Sequence, residues 1–147
     1  MKANNKRSKK LLLQVKKCYY DAIMAKRKLW EARPMLDKTG KLSLSAQLGT
    51  IGRIVVLQSG GGTNNVARIT DVRLYYGQTD MHPIKEMLSD IGPELLPDAP
   101  PTLEAGLREY EKCYNAAKFY YTRLEWDKMP FIAMRLDVEQ AQVIDHT

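Results

Sequence analysis

The 147-residue sequence predicts a mainly α protein, a helical bundle with two long helices at 9–33 and 102–127 and shorter helices between them. Apolar residues in both long segments recur at alternating spacings of four and three, which is typical of one face of a helix. A proline follows each segment and limits its length. The hydrophobic fraction of 44% and the charged fraction of 27% are ordinary for a globular domain and exclude wholesale disorder. An α+β fold with a β-hairpin at 53–76 is the alternative.

The first long helix is predicted from one apolar stripe and ends before Pro34. The stripe consists of Leu11, Val15, Cys18, Ala22, Ala25, Leu29 and Ala32. Cations occupy the opposite side of this helix, and they are Lys9, Lys16, Lys17, Arg27 and Lys28. Cys18 lies on this stripe and Cys113 borders the apolar stripe of the second long helix, so both are interpreted as small buried hydrophobic residues.

The middle of the chain is predicted to contain short helices. Ser43 or Ser45 can cap one of them, and Leu44, Leu48, Ile51 and Val55 share its apolar face. The segments 53–58 and 66–76 are rich in β-branched residues and flank a glycine-rich loop, which is the basis of the hairpin alternative. The loop at 59–65 lacks the lysine of a P-loop. A linker is therefore the favoured interpretation, and a phosphate-binding loop is the alternative.

The second half is predicted to hold one short and one long helix. His82-Pro83 begins the short helix and Gly92-Pro93 ends it. A proline-rich connector follows, and Thr102 caps the long helix. The apolar stripe of that helix consists of Leu103, Leu107, Tyr110, Tyr114, Ala117, Tyr121 and Leu124. Residues 131–147 add a final short helix or an edge strand. We expect residues 1–8 to form a basic arm and 9–147 to form a single helical domain.

Positive charge is concentrated at the start of the chain. Residues 1–33 contain eleven lysines and arginines against two acidic residues, a balance of +9, whereas the rest of the chain has a balance of −3. Such an asymmetry indicates a polyanionic partner, because each neutralised phosphate releases condensed counterions. The alternative is a solubilising N-terminus.

The residues that usually carry catalysis or bind metals are scarce. The two histidines are far apart, and the two cysteines cannot complete a zinc site. We therefore expect no enzyme, no catalytic residue, no metal and no cofactor. The longest early apolar run, Leu11 to Leu13, is too short to cross a membrane, and no export signal is recognised. We expect a cytoplasmic protein.

A second cationic face is predicted on the last long helix. It interleaves cations with aromatic rings and includes Arg108, Lys112, Phe119 and Arg123. Cations meet phosphates and flat rings stack on unpaired bases, so this face suits RNA or DNA. Phe119 can equally pack on a neighbouring element. Arg53 and Arg73 belong to a third, weaker group.

Three stretches resemble the small subunit of type III CRISPR effector complexes, which act in antiviral defence. They are Leu42–Leu48, Val72–Gly77 and Leu107–Arg123. The resemblance implies a compact helical protein that contacts the guide–target duplex and has no catalysis of its own. Gly49 and Gln78 stand where that family places arginines, so two of its RNA contacts are missing. Arg73 carries over by position, and Arg53 is our hypothetical substitute for the first missing arginine.

The sequence therefore predicts a non-enzymatic RNA-binding subunit of a ribonucleoprotein assembly. It binds RNA, or DNA, through phosphates and contacts other protein subunits, with a homo-oligomer as one arrangement. The alternative function is that of a phage or virion structural or assembly protein, in which the two apolar stripes mediate contacts between subunits.

Overall fold

The computed structural model describes residues 10–60, 62, 64–77 and 82–138. Lys9, the predicted arm at 1–8 and the segment after Val138 lie outside the described residues. The described elements in chain order are β1 (Leu11–Val15), α1 (Lys17–Met24), β2 (Trp30–Pro34), α2 (Leu44–Leu48), β3 (Ile54–Ser59), β4 (Asn64–Tyr75), α3 (Pro83–Leu95), α4 (Leu103–Ala117), α5 (Arg123–Lys128) and β5 (Phe131–Val138). None of these helices is long and apolar enough to span a bilayer.

A five-stranded mixed sheet organises the molecule, so the predicted mainly helical bundle is wrong and the fold is α+β. The strand order is β1-β3-β4-β5-β2. β1 pairs in parallel with β3, and the other three pairings are antiparallel. The sheet curls so strongly that its two edge strands approach each other. The Arg33 guanidinium on β2 donates to the Gln14 carbonyl oxygen on β1 at 2.9 Å.

The predicted helix at 9–33 is replaced by a strand, a short helix and a second strand. Leu11, Leu13 and Val15 are buried and alternate with exposed residues, which is the period-2 pattern of a strand. Leu11 and Val15 also fit a helical stripe, and pairing with the distant β3 decides between strand and helix. Cys18 is exposed, contrary to its predicted burial in that stripe.

β3 and β4 form the β-hairpin that was the alternative prediction for 53–76. The helices predicted for this segment are therefore wrong. β3 and β4 pair antiparallel from Ile54 opposite Arg68 to Gln58 opposite Asn64. The predicted helix at 44–55 stops at Leu48. A Cβ at Gly49 would lie 2.5 Å from the backbone carbonyl oxygen of Ser45 and 2.9 Å from the Ile132 side chain of β5, so the chain passes this point only with glycine.

The predicted helix at 102–127 is two helices. Thr102 caps α4 as expected, with its hydroxyl accepting from the Ala105 N–H, but α4 ends at Ala117. A new capping box begins α5, in which Thr122 and Glu125 each accept a hydrogen bond from the other's backbone N–H. The sequence Thr-Arg-Leu-Glu at 122–125 carries this signal.

β5 is a central strand, neither the short helix nor the edge strand predicted for 131–147. It lies between β4 and β2, and its residues alternate between two hydrophobic clusters on opposite faces of the sheet. Ile132 and Met134 join the cluster under α1, whereas Phe131 and Ala133 join the cluster under α3, α4 and α5. Burial on both faces explains the continuous apolar run from Phe131 to Met134.

The helical architecture that the CRISPR small-subunit resemblance implied is also wrong. One of its three stretches, Val72–Gly77, lies mostly on β4, and Leu42–Leu48 contains only a five-residue helix. Neither apolar stripe of the assembly hypothesis lies on a single helix, because β1, α1 and β2 divide the first and the second is split between α4 and α5. Subunit contacts stay a prediction.

Candidate ligand-binding cleft

A cleft of about 240 Å³ opens where the two sheet edges approach each other beside α1 and α4. We call it the Lys28 cleft. Its lining residues are Gln14, Val15, Lys16, Tyr19, Lys28, Glu31, Ala32, Arg33, Pro34, Leu96, Glu109, Tyr110, Cys113, Trp126 and Phe131. Cys113 is exposed here, contrary to its predicted burial. Aromatic rings and charged groups thus share one concave site, which is typical of ligand-binding pockets.

The end of α1 directs Lys28 into this cleft. Lys26 has a φ of 61°, in the left-handed region that favours glycine. The N–H groups of Lys26 and Arg27 donate to the carbonyl oxygens of Ile23 and Ala22, which is the Schellman arrangement. Two residues later the Lys28 ammonium donates to the Leu95 carbonyl oxygen at 2.6 Å. A strained turn therefore precedes the most buried lysine of the described chain.

Replacing Lys26 with glycine should stabilise the protein. Relief of the left-handed strain is worth about 1 kcal/mol, which corresponds to a rise of about 2–4 °C in Tm. Thermal unfolding measures it, and Lys26→Ala is the control because it removes the charge but keeps the strain. Equal stabilisation by alanine would show that charge, not backbone conformation, limits this turn.

Three charged side chains meet at the base of the Lys28 cleft. Glu31 lies 3.4 Å from the Lys28 ammonium and 2.7 Å from the Arg33 guanidinium, with only 8% of Glu31 and 3% of Lys28 exposed. Burial lowers the pKa of Lys28, and Glu31 only partly offsets this effect. Burial raises the pKa of Glu31, but Lys28 and Arg33 outweigh burial and hold it below its ordinary value. The triad carries one excess positive charge.

The wall of the cleft is formed by Tyr19 and the acidic side of α4. The Tyr19 hydroxyl donates to Glu109 at 2.6 Å, and the Lys28 ammonium lies 5.3 Å from the centre of the Tyr19 ring. Hydrogen bonds from Tyr19 and from Lys112 hold the pKa of Glu109 below its usual value. The exposed Lys16 at the rim lowers it further. The wall thus adds a fixed aromatic face beside the charged triad.

The structure brings two of the sequence-predicted site residues, Lys16 and Lys28, into this cleft. Lys112 lies at its edge, bonded to Glu109 at 3.0 Å, and Arg108 is exposed one turn earlier on α4. Lys17 is exposed and pairs with Asp21 at 3.0 Å. The common helix face on which the N-terminal cations were placed does not exist, because β1, α1 and β2 divide them.

The other predicted cations lie elsewhere and have partners. Arg27 pairs with Asp98 at 2.6 Å, and Arg73 on β4 pairs with Asp90 at 2.9 Å while lying over the Trp30 ring. Arg123 pairs with Glu111 and lies over the Tyr114 ring. Arg53, which precedes β3, is half-buried and also has an interaction. Phe119 is 88% exposed on the connection between α4 and α5.

Sequence reasoning missed Glu31, Arg33, Tyr19 and Glu109. A signal for the first two was present, because Trp30-Glu31-Ala32-Arg33 alternates apolar and charged residues with period 2. That period places Glu31 and Arg33 on one face of a strand. No comparable signal links Tyr19 to Glu109, ninety residues apart. In the described part of the chain, no three His, Cys, Asp or Glu side chains form a group that could hold a metal ion.

No family model and no curated protein matches the sequence. The chain is similar in structure to hypothetical protein PH0355, with a TM-score of 0.62 and 20% identity over 89% of this chain and 100% of that one. It is also similar to protein EF3133 from Enterococcus faecalis V583, with a TM-score of 0.52 and 14% identity over 83% of this chain and 67% of that one. An ASCH protein from Zymomonas mobilis gives a TM-score of 0.49 and 11% identity over 91% of this chain and 76% of that one. The first two likenesses show a shared fold.

Proposed function

We propose that this chain binds single-stranded RNA and takes one nucleotide into the Lys28 cleft. The observation that carries the proposal is the excess positive charge of the buried triad, with Lys28 and Arg33 against Glu31 alone. A buried cation without a matching carboxylate favours an anionic or carbonyl-rich ligand, because such a ligand completes its pairing. The basic start of the chain supports a polyanion as the larger partner.

The shape of the cleft favours a single strand over a duplex. The Lys28 cleft is a recess with aromatic side chains, Tyr19 and Tyr110 among them, and not an extended surface. A base that is free of its stack can enter such a recess and lie against a ring, whereas a paired base cannot. The exposed Phe119 and Leu124 offer contacts to protein partners of an assembly. The free thiols fit a reducing compartment, so we place this function in the cytoplasm.

Fluorescence anisotropy with a short labelled single-stranded RNA tests the proposal. Lys28→Met keeps the aliphatic stem and removes the charge, and we expect it to weaken binding about tenfold, as loss of a charged hydrogen bond does. Lys16→Gln at the rim should reduce the slope of log affinity against log salt by about 0.7, the value for one phosphate contact with a single strand. Single-stranded DNA of the same sequence measures the contribution of the 2′-hydroxyl.

Lys41→Gln is the matched control, because Lys41 is exposed and lies outside the cleft. We expect it to change the affinity less than twofold. Unchanged RNA affinity in both cleft variants, measured on protein that circular dichroism shows to be folded, would contradict the proposed site.

A second candidate function, an enzyme acting on the bound nucleotide, is favoured by the buried contact between Lys28 and Glu31. Burial lowers the pKa of Lys28, so this lysine gives up its proton more readily than an exposed one, and such perturbed groups in clefts are frequent in active sites. Chromatography of RNA after incubation with the protein separates the two candidates. A product formed by the wild type and not by Lys28→Met supports the enzyme, and intact RNA supports binding alone.

A further inference from the structure

A second recess lies on the other side of Lys16, where β1 passes into α1 beside the end of β3. It has a volume of about 700 Å³. Its lining residues are Gln14, Val15, Lys16, Lys17, Gln58, Ser59, Gly60 and Gly62. This lining contains two lysines and no acidic side chain. Three of these residues, Gln14, Val15 and Lys16, also line the Lys28 cleft, so the two recesses adjoin.

The helix α1 begins at this recess, where Lys16 and Lys17 contribute to the lining. The first backbone bond of the helix runs from the Tyr20 N–H to the Lys16 carbonyl oxygen. The N–H groups of residues 17–19 therefore precede the first intrahelical donor. Lys16 occupies the N-cap without a side-chain bond, and no acidic residue stands in the first turn. An anion would satisfy these donors and meet the positive end of the helix dipole.

Ser59 supplies independent evidence for a ligand at the same place. It lines the recess at the end of β3 and is only 4% exposed, yet its hydroxyl has no hydrogen-bond partner among the described residues. Leaving a buried hydroxyl unpaired costs about 1–3 kcal/mol, so native structures usually satisfy it. Gly60 and Gly62 follow directly, and nothing lies within 4 Å of the position of a Cβ at either residue.

We infer that this recess binds a phosphate group, held by the start of α1, the Ser59 hydroxyl and the Lys16 ammonium. The inference rests on the proposed function and extends it: the phosphate is the backbone phosphate next to the nucleotide in the Lys28 cleft. Lys16 stands between the two recesses and contributes to both. The bound nucleotide is therefore recognised at its base in one recess and at its phosphate in the other.

Titration with inorganic phosphate, followed by amide NMR, tests the site without RNA. We expect the largest shifts at the N–H groups of Cys18, Tyr19 and Gly60, and an affinity about tenfold lower in Ser59→Ala. The same variant should unfold at the wild-type Tm or slightly above it when phosphate is absent, because the hydroxyl has no partner to lose. A merely structural serine would instead lower the Tm. Ser89→Ala, at an exposed serine of α3, is the matched control.

RNA binding by the same variants distinguishes the source of the phosphate. Weaker RNA binding in Ser59→Ala supports a backbone phosphate, whereas weaker binding of inorganic phosphate alone overturns that assignment in favour of free phosphate. Shifts confined to lysine side chains, or an unchanged phosphate affinity in Ser59→Ala, overturn the site itself. If no RNA binds to the wild type, the proposed function fails and the phosphate titration still decides the site.

Discussion

Glu31→Gln should lower the free energy of unfolding by about 3–5 kcal/mol. The substitution keeps the size of the side chain but leaves Lys28 and Arg33 facing each other without the carboxylate that now lies 3.4 Å and 2.7 Å from them. Lys28 is nearly inaccessible to water, so solvent cannot take over the role of the carboxylate. Urea unfolding at neutral pH measures the loss. Glu111→Gln removes an exposed carboxylate that pairs with Arg123, and we expect it to cost less than about 1 kcal/mol.

The pH dependence of stability in the wild type and in Glu31→Gln tests whether the charge of Glu31 is what stabilises the triad. Because the folded-state pKa of Glu31 is held below its ordinary value of 4.5, its stabilising contribution is complete above that pH and is lost as the pH falls further. The stability difference between the wild type and Glu31→Gln should therefore shrink on acidification below about pH 4.5. A difference that stays constant down to acid unfolding would show that the charge of Glu31 is not what stabilises this site.

Trp126→Ala should lower the free energy of unfolding by about 3–5 kcal/mol, as large-to-small changes of buried aromatic residues do. Only 4% of Trp126 is exposed, and its ring lies 5.6–5.9 Å from the rings of Tyr114, Tyr121 and Phe131. Removing it opens a cavity between α5 and β5 at the wall of the Lys28 cleft, which Trp126 lines. We therefore expect RNA affinity to fall as well, because the wall of the cleft loses its support.

Trp126→Phe provides the conservative comparison. It retains an aromatic ring and should lower the free energy of unfolding by less than half as much as Trp126→Ala does. Urea unfolding of both variants gives the two values. If Trp126→Ala lowers the free energy of unfolding by less than about 1 kcal/mol, α5 is not an integral part of the hydrophobic cluster under α3, α4 and α5.

Local signals predicted those parts of the fold that depend on local contacts. Thr102 as a helix cap, Pro83 in the first turn of α3 and the apolar stripe of α4 could all be recognised in the sequence. β1 could not be assigned in the same way, because Leu11 and Val15 fit both a strand and a helix. The choice depends on pairing with residues 55–59, some forty positions later. Hydrophobic spacing within a segment contains no information about such a partner.

The candidate site was predictable only in part, for the same reason. Lys16 and Lys28 were identified as basic residues, but their meeting point depends on the approach of the two sheet edges. The contact of Tyr19 with Glu109 joins α1 to α4 across the fold and leaves no periodic trace. Charge composition thus indicated the cations of the candidate site, whereas the geometry of the cleft follows from long-range strand pairing.

The pairing of β2 with β5 also constrains how the protein is made. Trp30–Pro34 hydrogen-bonds with Phe131–Arg135, about a hundred residues further along the chain. On the ribosome, β2 therefore stays without its pairing strand until β5 has left the exit tunnel. Long-range pairing of this kind is slow, and exposed strand edges aggregate. Efficient production of this protein therefore depends on shielding β2 until β5 has been synthesised.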